Sequence, residues 1–462
     1  MRLGHLVMVV PGIAGSRLAA PGGPRWNVNA AQIAATLADP ARLSLSEHPD
    51  LVPVGAAPAG VMPWLGVVHS LGRLTANIEN GFEGVRVDPG DSPGRRDLAA
   101  DVVVFPYDFR RSIEHAAQRL DAEVTARLAD LSASARRDRV IVVAHSMGGL
   151  VARYWLGPLG GWEVCRALVT LGTPHRGAPK ALDWLVNCPR VGGFAVPGAA
   201  EVLGGWPSAF ELLPRYPVVL DSATGQPLYP YQLPLPGFAG KATAAFQTHL
   251  EIEREWAAIP SGRAPEVVPV FARGHATHGR AVWDGAQVTV SKQDAEWLPN
   301  AGWAGDATVP AIAAIPIELD GRRSAWRAVG SRHLRLPSTG VVVETLREFS
   351  GESLGPVREG DSPHRPWLGL DLDELVPAGC PVPVRAVLHR AEADEQTAAW
   401  VRIRPTGDGA AWTRYPLSAG ADGWAGLLPA MEPGLYEVGV EAVNVPRWDA
   451  VRCEDVVGVV AT

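Results

Sequence analysis

The run Ala144-His145-Ser146-Met147-Gly148-Gly149 lies between an apolar stretch, Val140 to Val143, and a helical pattern that starts near Leu150. Where a strand turns directly into a helix, the residue at the turn is forced into a strained backbone. Only small residues then fit two positions before it and two after it. Ala144 and Gly148 hold those two positions. The turn pushes the Ser146 hydroxyl out beyond the sheet edge and sets a helix N-terminus beneath it. The Met147 N–H then points where negative charge develops on an attacked carbonyl. A glycine-rich turn with an incidental serine is the competing reading, and the strand and helix patterns on either side weigh against it.

A serine hydroxyl attacks only when a base removes its proton and a carboxylate orients that base. On a strand-turn-helix scaffold the chain order is Ser, acid, His. Asp306 lies in Gly305-Asp306-Ala307-Thr308-Val309-Pro310, which suits a loop just past a strand end; Asp284 and Asp294 lack that context. His333 lies in Gly330-Ser331-Arg332-His333-Leu334, ahead of the helical pattern Thr339–Phe349. It is therefore the expected base. His364 and His389 fall in regions with no such pattern, and His145 reads as a packing residue of the turn. His175 and His275 remain candidates for the pocket rim. The loop Val10-Pro11-Gly12-Ile13-Ala14-Gly15-Ser16 follows the first apolar run, where a second oxyanion donor belongs. Ile13 N–H is the expected donor, Ala14 the alternative, and a plain structural turn the competing reading.

These residues need a scaffold. Apolar runs at His5–Val10, Asp101–Phe105, Val140–Ala144, Ala167–Leu171 and Val267–Ala272 read as strands buried on both faces. Helical spacing over Ile113–Leu131 lies between two of them. The alternation predicts a mostly parallel sheet with helices on both faces, and the strand-turn-helix at Ser146 makes it an α/β-hydrolase fold over residues 1–350. Residues 176–265 interrupt it with Pro, Gly and many aromatics, and read as a lid or cap insertion. A second irregular stretch, about 20–100, is expected in the same roof. Residues 351–367 mix Gly, Pro, Ser and charge and read as a linker. Short alternating runs over 368–462 predict a small all-β sandwich of immunoglobulin-like type. Within it, Pro433-Gly434-Leu435-Tyr436-Glu437-Val438 is similar to a tyrosine corner.

The 462 residues are 47% hydrophobic and 20% charged, with a formal net charge of −7. That composition describes a folded globular chain with no basic footprint for nucleic acid. The four cysteines, at 165, 188, 380 and 453, form no metal-ligand spacing, so no metal and no cofactor is implied. No apolar stretch is long enough to span a bilayer, and the first apolar run lacks a cleavage site, so a cytoplasmic location is expected.

Taken together the motifs resemble the lecithin:cholesterol acyltransferase-like family of lipases and acyltransferases. The matching pieces are Pro11–Leu18, Phe105–Arg110, Ala144–Gly149, Leu171–Pro174, Pro207–Pro214, Gly305–Pro310 and His333, in one order over residues 5–350. The resemblance implies a triad of Ser146, Asp306 and His333, oxyanion N–H groups on Ile13 and Met147, and a mobile lid over an acyl-chain groove. Phe109 stands where the family usually has Trp, and Ala307 where it has Gly. The β domain lies outside the resemblance.

The expected activity is hydrolysis of carboxylic esters, lipid or phospholipid acyl esters among them, through an acyl-enzyme on Ser146. Transfer of the acyl group to an alcohol is the alternative, and a non-catalytic lipid- or partner-binding protein is the reading from another class. The expected partners are the ester substrate, a membrane surface touched through the lid, and a protein bound by the β domain.

Overall fold

All five apolar runs lie in one sheet, because residues apolar on both sides are stable only with helices covering both faces. In a computed structural model the strands Arg327–Val329, Glu266–Ala272, Cys165–Leu171, Val140–His145, Leu6–Val10, Val102–Val104 and Val87–Asp88 stand side by side in that order. Every pairing among them is parallel. The structure describes all residues except 21–22, 28–29, 58–59, 63–65, 69–70, 92–95, 192–193, 299–303, 351–365, 407–409 and 462.

Strand periodicity sends alternate residues to opposite faces. Met8 and Val10 join the cluster that contains Leu120 and Val124 of the helix Ile113–Arg127 and Val151 of the helix Gly148–Leu156. Val7 and Val9 join the other cluster, with Leu74 and Ile78 of Gly72–Gly81 and Val342 and Leu346 of Val341–Phe349. Each such side chain contributes roughly 1.5–3 kcal/mol by leaving water. The predicted helix over Ile113–Leu131 ends at Arg127, and Ser112 caps its start by accepting from the His115 N–H at 3.2 Å.

The excursion at 176–265 forms helices Pro179–Val186, Ala199–Gly204, Pro207–Glu211 and Ala239–Ala257. It also supplies Val219–Asp221 and Pro227–Leu228 to a four-stranded sheet completed by Arg280–Trp283 and Val288–Ser291. The roof is therefore built from two excursions, one on each side of Glu266–Ala272 in the chain. Asp284 occupies the turn between its last two strands.

The predicted linker falls largely outside the described residues, and the first C-terminal strand begins at Trp367. Eight strands follow one another in the order Trp367–Asp371, Val382–His389, Gly423–Leu428, Thr413–Gly420, Ala398–Pro405, Gly434–Val445, Trp448–Val460 and Leu375–Pro377. The strand Thr413–Gly420 pairs through Thr413–Leu417 on one side and Ser418–Gly420 on the other. It thus passes between two layers, which close over Leu368, Val384, Val401, Val440 and Val457 as a sandwich. Tyr436 Oη donates to the Glu432 carbonyl at 3.0 Å, the upstream bond of a tyrosine corner.

Candidate active site

Ser146 has φ +52°, the left-handed backbone expected at a strand-to-helix turn. Three glycines make the turn possible. A Cβ on Gly148 would lie 2.4 Å from the Pro11 carbonyl oxygen, one on Gly149 would lie 2.0 Å from Thr173 Oγ1, and one on Gly12 would lie 2.9 Å from Ser146 Cβ. The chain is packed so closely around the hydroxyl that only hydrogen fits at these positions.

Ser146, His333 and Asp306 lie in one hydrogen-bonded line. Ser146 Oγ is 3.0 Å from His333 Nε2, and His333 Nδ1 is 2.7 Å from Asp306 Oδ2. Asp306 is 1% exposed, His333 4% and Ser146 8%, so the line runs from the interior to the edge of the pocket. The other carboxylate oxygen, Asp306 Oδ1, accepts from Thr308 N–H at 3.0 Å and Val309 N–H at 2.7 Å. The backbones are tied as well, with the His333 N–H donating to the Asp306 carbonyl at 2.9 Å.

The acid loop is held at a conformation its sequence resists. Ala307 has φ +82°, where glycine is favoured. Thr277 Oγ1 braces it by accepting from Gly305 N–H at 3.1 Å and Ala307 N–H at 2.9 Å. Gly172, with φ +60°, sits against the Asp306–His333 pair, and a Cβ there would lie 2.8 Å from both Asp306 Oδ2 and His333 Nδ1.

The other histidines take structural places. His145 Nε2 donates to the His333 carbonyl at 3.2 Å, which steadies the imidazole loop from beneath. His175 is buried, with Nε2 3.2 Å from Thr170 Oγ1, and burial holds its imidazole well below the ordinary range. His275 is fully buried and accepts at Nδ1 from the Leu370 N–H at 3.1 Å. Neither lines the pocket over Ser146, where the sequence left both as rim candidates.

Pro11, Gly12, Ile13, Ala14 and Gly15 do line that pocket. Among the described residues neither the Ile13 N–H nor the Met147 N–H donates a hydrogen bond within the chain. Two donors without internal acceptors on either side of Ser146 suit an incoming carbonyl oxygen. The loop's far side is fixed by Tyr107, whose hydroxyl donates to the Pro11 carbonyl at 2.8 Å. Asp108 and Arg110 pair bidentately at 2.9 and 2.8 Å, and Arg110 reaches the Ser44 carbonyl at 3.2 Å. The motif at Phe105–Arg110 is thus a brace, a role that its residue types alone did not reveal. Phe109 packs edge-on against Trp206 at 5.5 Å, joining the brace to the roof. Glu211 in the roof accepts from the Ile113 N–H at 2.7 Å, and burial raises its carboxyl to about 7.

Two charged pocket residues escaped sequence reasoning, Lys180 and Glu374, and Thr308, read there only as part of the Gly305–Pro310 motif, stands with them. Lys180 Nζ is 3.1 Å from Glu374 Oε2, and Thr308 Oγ1 donates to Glu374 Oε1 at 3.1 Å. Glu374 precedes the strand Leu375–Pro377 of the β sandwich. The β domain also reaches the histidine loop. Arg332 pairs with Asp455 and donates to the Leu372 carbonyl at 2.8 Å, and Arg335 pairs with Glu454 at 2.9 Å. No local signal in the sequence announces which sandwich residues face the parallel sheet.

Residues 117–187 match the PGAP1-like alpha/beta domain. That segment carries the Ser146 turn, the strand Cys165–Leu171 and the helix of Lys180. No curated protein matches. Among solved structures, the Bacillus licheniformis lipase BlEst2 in propeptide form is similar at 11% identity over 75% of this chain and 84% of that chain, with a TM-score of 0.27. The CARDB domain of a Pyrococcus furiosus protein in complex with di-metal ions shares 11% identity over 21% of this chain and 94% of that chain, with a TM-score of 0.16. The PKD domain of the human receptor SorCS2 shares 16% identity over 24% of this chain and 85% of that chain, with a TM-score of 0.15. The chain has a seven-stranded parallel sheet with helices, an α/β-hydrolase-like fold, and a separate C-terminal β-sheet domain. Among the described residues no helix is long and apolar enough to cross a membrane.

Proposed function

We propose that the protein is a serine hydrolase of carboxylic esters, a lipase or esterase acting on lipid acyl esters. The observation that carries this reading is the line from Ser146 Oγ to His333 Nε2 at 3.0 Å and from His333 Nδ1 to Asp306 Oδ2 at 2.7 Å. The resemblance of the motifs to lecithin:cholesterol acyltransferase-like enzymes supports it. His333 takes the Ser146 proton as Ser146 Oγ bonds to the ester carbonyl carbon. The carbonyl oxygen takes up the negative charge and accepts from Ile13 N–H and Met147 N–H. Asp306 holds the imidazole in the tautomer that accepts at Nε2 and stabilises the imidazolium that results. As the tetrahedral adduct collapses, the C–O bond to the alcohol breaks and His333 returns its proton to the leaving oxygen. Water, deprotonated by His333, then attacks the acyl-enzyme and releases the acid. The apolar lining of Leu71, Ala178, Trp184, Leu212 and Leu334 suits the acyl chain, under a roof that serves as its lid.

Two measurements test the reading. A fluorophosphonate should modify Ser146, located by peptide mass spectrometry, and p-nitrophenyl esters should be turned over with a preference set by chain length. A folded protein that takes no label at Ser146 and turns over no ester defeats the proposal.

A further inference from the structure

The wall of the Ser146 chamber changes character on one side. Against the apolar lining stand Lys180, Thr308 and Glu374, the last contributed by the β domain. Lys180 and Glu374 are mostly enclosed, with side chains 16% and 10% exposed, yet both reach the chamber. Burial alone would push the Glu374 carboxyl up, but Lys180 and Arg332 outweigh it and hold the group below its ordinary range, so it is an anion facing an ammonium. Neither partner is saturated. Lys180 Nζ has three protons and gives two of them, to Glu374 at 3.1 Å and Thr308 Oγ1 at 3.4 Å. Glu374 accepts one bond at each oxygen, which leaves lone pairs free. Lys180, Trp184 and Glu374 also line a second, polar groove beyond the pair, together with Asn187, His278 and Lys292.

We infer that Lys180 and Glu374 form the subsite for the alcohol portion of the ester, and that it selects an uncharged, hydroxyl-bearing alcohol. The inference rests on the ester-hydrolase reading of Ser146. The pair offers one donor and one acceptor with no net charge. A hydroxyl can give to Glu374 and take from Lys180 at once. A charged alcohol, of either sign, must shed its hydration in an enclosed site whose two charges already cancel each other, so nothing compensates the desolvation. A purely apolar alcohol leaves both groups without a new partner.

The test uses the full chain and four butyryl esters: ethyl, glyceryl, choline and glycerol phosphate. The wild-type protein should show its highest kcat/KM on the glyceryl ester. In Glu374→Ala and Lys180→Met the ratio of glyceryl to ethyl kcat/KM should fall at least about tenfold, the size of one lost hydrogen bond to a charged group. Glu374→Gln, which keeps an acceptor, should lose less. Fluorophosphonate labelling of Ser146 in each variant reports whether the hydroxyl remains reactive. Labelled variants with an unchanged ratio, or a wild-type preference for the choline or phosphate ester, overturn the subsite alone. Absence of label in the wild-type protein overturns the ester-hydrolase reading with it.

Discussion

Arg332 and Asp455 form an ion pair buried on both sides, with side chains 4% and 1% exposed. One belongs to the loop of the hydrolase-type domain that carries His333, the other to the strand Trp448–Val460 of the sandwich. Burial pushes the Asp455 carboxyl up against the pull of Arg332, so the pair is held under desolvation. Removing one partner leaves an uncompensated charge in the interior, which typically costs about 3–5 kcal/mol. Asp455→Asn should therefore lower the urea midpoint sharply and reduce kcat more than it raises KM. The double variant Arg332→Met with Asp455→Leu should regain most of the stability, since an apolar pair needs no solvation. Equal stability of the single and double variants would argue against this account.

Asp306 is expected to act by orienting His333. In Asp306→Asn the amide can donate to Nδ1 and so select the wrong tautomer, a change worth on the order of 10⁴ in kcat where the same arrangement has been dissected. Ester turnover should fall by about that factor while the far-ultraviolet circular dichroism stays unchanged. A loss below about tenfold would show that the carboxylate does not set the tautomer.

Gly172 has no room for a methyl group beside the Asp306–His333 pair and a backbone that disfavours one, with φ +60°. Gly172→Ala should keep the fold but displace the imidazole, and a displacement of about 1 Å costs on the order of 10²-fold in rate. The check is kcat for a p-nitrophenyl ester beside the thermal midpoint. Full activity in a folded Gly172→Ala protein would contradict the packing described.

His275 ties the strand end beside Asp306 to the sandwich, through the bond from Leu370 N–H. Burial, with the charges of Arg332 and His389, holds its imidazole down to about 3 against an ordinary 6.5. Because the folded value is depressed, the unfolded chain takes up a proton that the folded chain refuses as pH falls below 6.5. Stability is complete above that value and is lost on acidification, at about 1.4 kcal/mol per pH unit, down to the folded value. Urea midpoints at about pH 7.5 and about pH 5 should separate clearly in the wild-type protein and less in His275→Gln, where the side chain accepts the same bond without titrating. The same pH dependence in both proteins would place the effect elsewhere.

The parts of this arrangement legible in the sequence are those where sterics leave few residue choices. Ala144 and Gly148 betray the Ser146 turn because nothing larger fits around it. The five main strands declare themselves because a strand covered on both faces has no polar side to hide. His333 and Asp306 follow from chain order once Ser146 is placed. The roles of Tyr107, Lys180, Glu374 and Asp455 lay beyond reach for a different reason. Each acts through a partner far away in the chain, 96 residues for Tyr107 and Pro11, 194 for Lys180 and Glu374, 123 for Arg332 and Asp455. Their own neighbours in sequence carry no trace of the encounter. The second excursion of the roof, Arg280–Ser291, was hidden likewise, since its strands are ordinary until they meet Val219–Asp221.

The placement of Asp455 has a bearing on biosynthesis. A ribosome delivers Ser146, then Asp306 and His333, well before the strand that locks Arg332 has emerged. On the reading proposed above, nascent chains would carry the Ser146, Asp306 and His333 side chains before the Arg332–Asp455 pair can form, so potency would arrive late, with docking of the sandwich.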